Sequence, residues 1–224
     1  MQELSQTIFK EMGKNPDYVS TFQAPVSILN QRVSASRRFA AQSFELSRLR
    51  KISKALGVTI NDVVLAVCSG ALREYLISHN SLPKKPLIAM VPASLRTDDS
   101  DVSNRITMIL ANLGTHKDQP LERLEIIRRS MQNSKQRFSR MTANEILNYS
   151  AVAKLDALYP ASIVMDGQAL NITMTSYLDK LEVGLTACRN ALPKMQNLLT
   201  HLEDEIQRFE EIIEEKQLKH HSAG

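Results

Sequence analysis

The chain has 224 residues, of which 43% are hydrophobic and 23% are charged, and its formal net charge is +4. These values are typical of a soluble globular protein with one large or two small domains, and they exclude collagen-like and disordered chains. No apolar run is long enough to span a bilayer, and the first residues lack the apolar core of a signal peptide, so we expect a chain that is not secreted.

The charge is unevenly distributed along the chain. Seven basic residues and one acid lie between Arg32 and Lys54, whereas seven acids and one arginine lie between Glu203 and Glu215. The basic run suits cofactor phosphates, anionic lipid or nucleic acid, and it equally suits a solvated surface. No nucleic-acid-binding motif accompanies it, so we expect no nucleic acid partner.

Cysteine and histidine residues give little sign of metal or redox chemistry. Cys68 and Cys188 are far apart and lack metal-ligand spacing, so we expect buried, reduced thiols in a cytoplasmic protein. No histidine pair has the spacing of a zinc site, so we expect no metal site. The histidines are His79, His116, His201, His220 and His221.

The first part of the chain predicts a helix over residues 3–12, an irregular segment to about 36, a strand over 37–46 and a helix over 48–56. Ser47 is the expected N-cap of that helix, and Gly57 is its expected C-terminal stop. A longer helix follows in the stretch TINDVVLAVCSGALR. There Thr59 and Asp62 have the spacing of a capping box, which accounts for Asp62 but leaves Asn61 without a structural role.

Strands dominate the prediction beyond this helix. They are expected over 86–93, 106–115, 158–165, 169–177 and 181–189, with a tight hairpin at 178–180. A helix begins at Pro120, a short one follows the Thr142–Glu145 capping box, and a long amphipathic helix follows Pro193. Its apolar stripe, which we expect to pack onto a sheet, is Met195, Leu199, Leu202, Ile206, Phe209 and Ile213. This order predicts an α/β or α+β fold with a mixed sheet flanked by helices.

Five segments in order carry a family resemblance: SRRFAAQSFEL, TINDVVLAVCSGALREYL, KPLIAMVPASLR, YPASIVMDGQALN and MTSYLDKLEVGL. Together they resemble bacterial wax ester synthase/acyl-CoA:diacylglycerol acyltransferases. The residues themselves contain no phosphate-binding loop, G-x-S-x-G or G-x-G-x-x-G. Any expectation of catalysis therefore comes from the resemblance.

The resemblance implies an acyltransferase with two lobes, like chloramphenicol acetyltransferase and condensation domains. Such enzymes transfer a long acyl chain from coenzyme A to a fatty alcohol or a diacylglycerol, without a metal or redox cofactor. An HHxxxDG motif on the first lobe supplies the general base, which takes the proton of the attacking alcohol. That motif is absent here, so the resemblance implies the C-terminal lobe over 37–224, preceded by a linker over 1–36.

Family members also carry a long stretch with an N-V-P-G-P motif that this chain lacks. The flanks of that stretch join directly here between Val152 and Ala153, so we expect a missing segment at this point. In related folds the segment contributes a strand that crosses to the other lobe.

The resemblance also implies roles for polar residues at the lobe interface. Asn61 is expected to hydrogen-bond the thioester region or to orient the base from the other lobe, and Asp62 to fix the helix beside bound substrate. Ser94, Arg96 and Asn104 match family positions near the interface and are expected to bind substrate. Their structural alternatives are turn formation for Ser94 and Asn104 and a surface ion pair for Arg96.

Two functional hypotheses remain from the sequence. The first is the C-terminal lobe of a lipid O-acyltransferase, active only with the lobe that carries HHxxxDG. The second is a catalytically silent fragment that docks on lipid or on that lobe. Either protein is expected to be cytoplasmic, with a peripheral contact at the inner membrane or at lipid inclusions such as droplets.

Overall fold

The computed structural model describes residues 24–94, 106–139 and 164–221. Within them, antiparallel strands form one three-stranded and one two-stranded sheet, and four α-helices pack between and around these sheets. The expected α+β class is confirmed. The predicted helix over 3–12 and the Thr142–Glu145 capping box lie outside the described residues, as does most of the predicted strand over 158–165.

The larger sheet joins distant parts of the chain in the order β1–β5–β4, with β1 at Arg37–Glu45, β4 at Leu170–Tyr177 and β5 at Lys180–Cys188. The hairpin between β4 and β5 turns at Leu178, whose φ of 52° is left-handed, and Asp179. Alternate residues of β5 are buried, so one face of this sheet packs on helices and the other is open.

Helix α1, Leu46–Leu56, begins directly where β1 ends. The prediction that Ser47 caps this helix is wrong, because Glu45 occupies the N-cap position and makes no side-chain cap. The backbone N–H of Leu46 instead donates to the carbonyl of Asp179, at 2.8 Å. The predicted stop is confirmed: Gly57 has a φ of 64°, a left-handed conformation that glycine adopts without strain.

The longer helices are α2, Ile60–Ser78, α3, Pro120–Ser139, and α4, Asn197–His221. Helix α2 packs against α1, α3 and α4, which explains why its first turns are apolar nearly all round. The predicted stripe of α4 is buried at Leu202, Ile206, Phe209 and Ile213, but Leu198 is buried in place of Leu199. Helix α4 packs on α2, α1 and β1. Its Leu202 and Ile206 line a small apolar cavity together with Leu181 and Val183 of the larger sheet.

The smaller sheet is a hairpin of β2, Ile88–Ser94, and β3, Ile106–Asn112. Strand β3 ends three residues before the prediction, because Gly114 turns the chain and its N–H donates to the Asn112 side chain, at 2.8 Å. Helix α3 then packs on β3. The hydrogen bond from Ser69 Oγ to the Leu113 carbonyl, 2.5 Å, ties α2 to this hairpin.

Candidate functional site

The N-terminus of α2 has the geometry that the sequence predicts. The hydroxyl of Thr59 accepts a hydrogen bond from the Asp62 N–H, at 3.2 Å, and donates to Asp62 Oδ2, at 2.6 Å. The same carboxylate oxygen accepts the Thr59 N–H, at 3.1 Å. Asp62 is only 6% exposed. These bonds satisfy helix N–H groups that would otherwise lack partners, so they account for the buried carboxylate.

Asn61 differs from its neighbour in both exposure and bonding. Its side chain is exposed, and it makes no hydrogen bond or ion pair within the part of the chain that the structure describes. It lies in the first turn of a helix whose remaining side chains are largely buried. A free carboxamide there offers both N–H donors and a carbonyl acceptor to a ligand.

Helix α3 brings a charged group to the same end of α2. Glu125 accepts hydrogen bonds from Arg128, on both carboxylate oxygens at 2.9 Å, and from Arg129, at 2.9 Å. These bonds lower the pKa of Glu125 to about 2, with Arg128 the largest cause. Glu125 in turn raises the pKa of Arg128, and the charge of Asp62 adds to that rise. The guanidinium of Arg128 therefore lies within electrostatic reach of the capping box.

A buried ion pair holds the helices that carry this site. Arg123 on α3 and Glu205 on α4 are each 1% exposed and bond to each other. Arg123 also donates to the carbonyls of Lys117, at 3.0 Å, and Asp118, at 2.6 Å, while its Nε has no partner among the described residues. This pair was not predicted from the sequence, where Glu205 is one of seven acids between Glu203 and Glu215.

Of the three other predicted substrate-binding residues, Ser94, Arg96 and Asn104, the structure describes only Ser94. Ser94 is the last residue of β2 and pairs with Ile106. Arg96 and Asn104 lie outside the described residues. The substrate-binding roles of all three remain predictions.

Two features concern the apolar parts of the described residues. A small apolar cavity of about 10 Å³ lies between the larger sheet and the helices and is lined in part by Val64, Met174 and Leu181. That volume is about enough for one water molecule. No single helix among the described residues is long and apolar enough to cross a membrane. Helices α1 and α2 together have the length and composition of a membrane span, but they are bent by 105° relative to each other.

No cluster of three or more metal-ligating side chains occurs in residues 24–94, 106–139 and 164–221. Both cysteines are free and buried. Cys188 Sγ lies 3.3 Å from the Ser34 N–H, which donates to it, and 3.4 Å from the Ser34 hydroxyl.

Comparison with known families gives two matches. The profile of the wax ester synthase/diacylglycerol acyltransferase catalytic domain matches residues 1–64. The profile of the WS/DGAT C-terminal domain matches residues 102–154 and 149–210.

Curated relatives give the same picture. The O-acyltransferase WSD of Acinetobacter baylyi is 70% identical over 251 residues, an alignment that covers 95% of this chain and 55% of that protein. A putative diacylglycerol O-acyltransferase of Mycobacterium bovis is 39% identical over 86% of this chain and 51% of its own length. The chain thus spans about half the length of the relatives that it matches.

Solved structures extend the likeness to the fold. A wax ester synthase/diacylglycerol acyltransferase from Marinobacter aquaeolei superposes with a TM-score of 0.74 and 34% identity, covering 95% of this chain and 56% of that one. A condensation domain of the calcium-dependent antibiotic synthetase superposes with a TM-score of 0.52 at 13% identity. The second likeness concerns the fold alone.

Proposed function

The chain belongs to the wax ester synthase/diacylglycerol acyltransferase family, and from this premise we propose that it is the C-terminal lobe of a lipid O-acyltransferase. The reaction would transfer a long acyl chain from coenzyme A to a fatty alcohol or a diacylglycerol. The observation that carries the proposal is the free Asn61 carboxamide at the buried, capped terminus of α2.

The general base of the proposed reaction has to come from another lobe. HHxxxDG does not occur in this sequence. His79 lies at the opposite end of α2 from Asn61, where its ring Nδ1 is 2.8 Å from the Tyr75 carbonyl and its ring packs on Tyr75. We therefore assign the base to an N-terminal lobe that carries HHxxxDG.

The chemistry at Asn61 follows from the transfer itself. The alcohol oxygen attacks the thioester carbonyl while a neutral imidazole takes its proton, and the thiolate of coenzyme A leaves from the tetrahedral intermediate. A carboxamide N–H aimed at the developing oxyanion stabilises the transition state by about 3 kcal/mol. Asn61 would act in this way or would orient the base.

The proposed missing segment between residues 152 and 153 has independent support. The C-terminal profile matches in two pieces that meet at residues 149–154. The alignment with the Acinetobacter protein runs over 251 residues, which is more than the 224 of this chain. That relative therefore contains residues that have no counterpart here.

The proposal assigns acyl-CoA and a fatty alcohol or diacylglycerol as substrates and needs no further cofactor. It also includes a cytoplasmic location with peripheral contact at a membrane or at lipid inclusions.

The test is release of free coenzyme A from palmitoyl-CoA in the presence of hexadecanol. The chain would be assayed alone and together with the HHxxxDG-bearing lobe of a family member. We expect turnover only in the mixture, and a loss of about 100-fold in Asn61→Ala at an unchanged melting temperature. Gln132→Ala, which removes an exposed carboxamide from α3, is the matched control and should retain activity.

Other outcomes point elsewhere. Turnover by the chain alone would show that the base lies within it, which overturns the assignment to another lobe. A mixture that binds lipid without turnover would favour the silent docking fragment.

A further inference from the structure

One end of the larger sheet is basic, and no acid among the described residues forms an ion pair with its cations. Two segments build it, the start of β1 and the end of β5 with the turn that follows. Neither residues 24–44 nor residues 183–202 contain an aspartate or glutamate. The basic cluster at this end consists of Arg37, Arg189 and Lys194. Arg38, the next residue of β1, lies on the opposite face of the sheet.

Two backbone contacts and one side-chain hydrogen bond connect the segments that carry the basic cluster. Arg37 is the Cα partner of Cys188, the last residue of β5. The N–H of Arg189 donates to the Ser36 carbonyl, at 3.2 Å. Arg38 Nη1 donates to the side-chain carbonyl of Gln196, two residues beyond Lys194, at 3.3 Å.

The charges of this cluster are unpaired. Within the described part of the chain, Arg189 and Lys194 make no side-chain hydrogen bond or ion pair, and Arg37 donates only to backbone carbonyls. The acid of the adjacent turn, Asp166, accepts the Val33 N–H at 2.8 Å. Uncompensated cations on a rigid sheet attract a polyanion, and arginine suits phosphate because its N–H groups form paired bonds with phosphate oxygens.

An exposed aromatic ring lies beside the basic cluster. Phe39 is 67% exposed and lies on the same face of β1 as Arg37, because residues two apart share a face. Its ring covers Gly184 on β5, where a Cβ would be 3.4 Å from Phe39 Cε2. The inner face of the ring therefore has a structural role, because it covers the glycine as aromatic side chains do in other sheets. The outer face remains free to stack on a planar base, as aromatic rings do in nucleotide recognition.

The basic cluster and Asn61 lie at opposite ends of α2. The hydroxyl of Tyr75, near the C-terminus of α2, donates to the Pro193 carbonyl at 2.6 Å. Burial raises the pKa of Tyr75 to about 12, and the nearby charge of Arg38 opposes that rise. Tyr75 follows Asn61 by 14 residues, so about 20 Å of helix separates the two sites.

We propose that the basic cluster binds the phosphates of the nucleotide part of coenzyme A and that Phe39 stacks on its adenine. This inference rests on the proposed function and deepens it. In an acyl-CoA the nucleotide and the thioester lie at the two ends of a long arm. The proposal therefore places the nucleotide at one end of α2 and the reacting carbonyl at the other, beside Asn61. Phosphate groups of anionic lipid share this chemistry, and the test separates the two sources.

The test measures binding of coenzyme A and of 3′-dephospho-coenzyme A to the whole chain by calorimetry at low and high salt. We expect the wild-type chain to bind coenzyme A more tightly than the dephospho form, and less tightly in high salt. Arg37→Gln and Arg189→Gln should each weaken coenzyme A binding about tenfold or more. Phe39→Leu should also weaken binding, but the effect of salt on its affinity should equal that on the wild type. Arg50→Gln, an exposed arginine on α1, is the matched control and should bind like the wild type.

A second arm measures flotation with vesicles of phosphatidylcholine containing phosphatidylglycerol. Retained flotation of Arg37→Gln and Arg189→Gln together with weakened coenzyme A binding supports the proposal. Lost flotation with unchanged coenzyme A binding would assign the cluster to lipid headgroups and overturn it. A wild-type chain that does not bind coenzyme A would also overturn it, whereas the turnover of the two-lobe mixture is a separate measurement that tests the proposed function.

Discussion

The carboxylate of Glu205 on α4 occupies the space that a side chain at Gly70 on α2 would fill. A Cβ built on Gly70 would overlap the Glu205 carboxylate. This close approach lets Glu205 bond with the buried Arg123 of α3 and, through its other oxygen, with Arg208 at 3.3 Å. Arg208 also bonds to Glu74 of α2, at 3.1 Å. One residue without a side chain therefore permits a charge network that joins three helices.

Replacement of Gly70 by alanine tests this relationship. In an ordinary helix interior, glycine to alanine stabilises by up to about 1 kcal/mol. Here the added methyl group displaces the carboxylate, and we expect a loss of about 1–3 kcal/mol in the free energy of unfolding. Urea unfolding followed by circular dichroism measures the change, and a gain in stability would contradict the predicted overlap.

The buried pair itself should be costly to break from one side. Glu205→Gln leaves the Arg123 guanidinium uncompensated at 1% exposure, so we expect a loss of about 3–5 kcal/mol. Replacement of both residues by leucine should cost less than the sum of the single changes, since no charge is then left buried alone. The double-mutant cycle is read from unfolding midpoints. Arg129→Gln, an exposed arginine on the same helix, should change stability by less than about 0.5 kcal/mol.

Substitutions of Thr59 and Asn61, at the N-terminus of α2, should differ in their effect on stability. Thr59→Ala removes the hydroxyl that accepts the Asp62 N–H, and we expect a loss of about 1 kcal/mol. Asn61→Ala removes no bond within the described chain and should leave the melting temperature unchanged. Differential scanning calorimetry of both variants checks this contrast. Equal destabilisation by both would mean that Asn61 has a structural role.

The Glu125 cluster predicts a small pH dependence. Arg128 and Arg129 lower the pKa of Glu125 to about 2, below its ordinary value of about 4.3. The stabilisation from this group is therefore full above about pH 5 and is lost as the pH falls through 2. Because these side chains are partly exposed, we expect Glu125→Gln to cost only about 0.5 kcal/mol at pH 7. The difference in the free energy of unfolding between wild type and variant should vanish near pH 2 and become smaller in 1 M salt.

The two thiols should differ in reactivity. Hydrogen bonding from Ser34 lowers the pKa of Cys188 to about 7, whereas burial raises that of Cys68 to about 12. Because both thiols are buried, iodoacetamide reaches them only when the structure opens. Cys188, at the end of β5, should be labelled first, through local opening and with a pH midpoint near 7, and Cys68, inside α2, only after unfolding. In Ser34→Ala the midpoint should move toward the ordinary value of about 8.5. Peptide mass spectrometry over a pH series measures both, and faster labelling of Cys68 would contradict the assignment.

Local interactions were readable from the sequence because their partners are close in the chain. The Thr59–Asp62 capping box spans three residues and was predicted correctly, and Gly57 ends α1 as expected. The Ser47 cap failed because the partner of the first helical N–H is Asp179, on a hairpin far along the chain. A local rule cannot detect a distant carbonyl that replaces the cap.

Long-range partners explain the rest of what was missed. Glu205 lies in an acidic run, and only the packing of α4 on α2 and α3 buries it beside Arg123. The charge run at Arg37 and Arg38 was visible in the sequence, but Arg189 and Lys194 join it only through the pairing of β1 with β5. The capping pattern left Asn61 without a structural role, in line with its free side chain in the described structure, whereas its proposed catalytic role rests on the family resemblance.

The pairing of β1 with β5 also affects how the chain folds during synthesis. The residue pairs run from Arg37 with Cys188 to Glu45 with Lys180, so β1 leaves the ribosome more than a hundred residues before its partner. At typical elongation rates the delay is on the order of 10 s. The central strand of the sheet arrives last, after β4, and the sheet can close only then. Contacts this distant in sequence slow folding, and throughout that delay β1 exposes Phe44 and an unpaired edge that are open to chaperones.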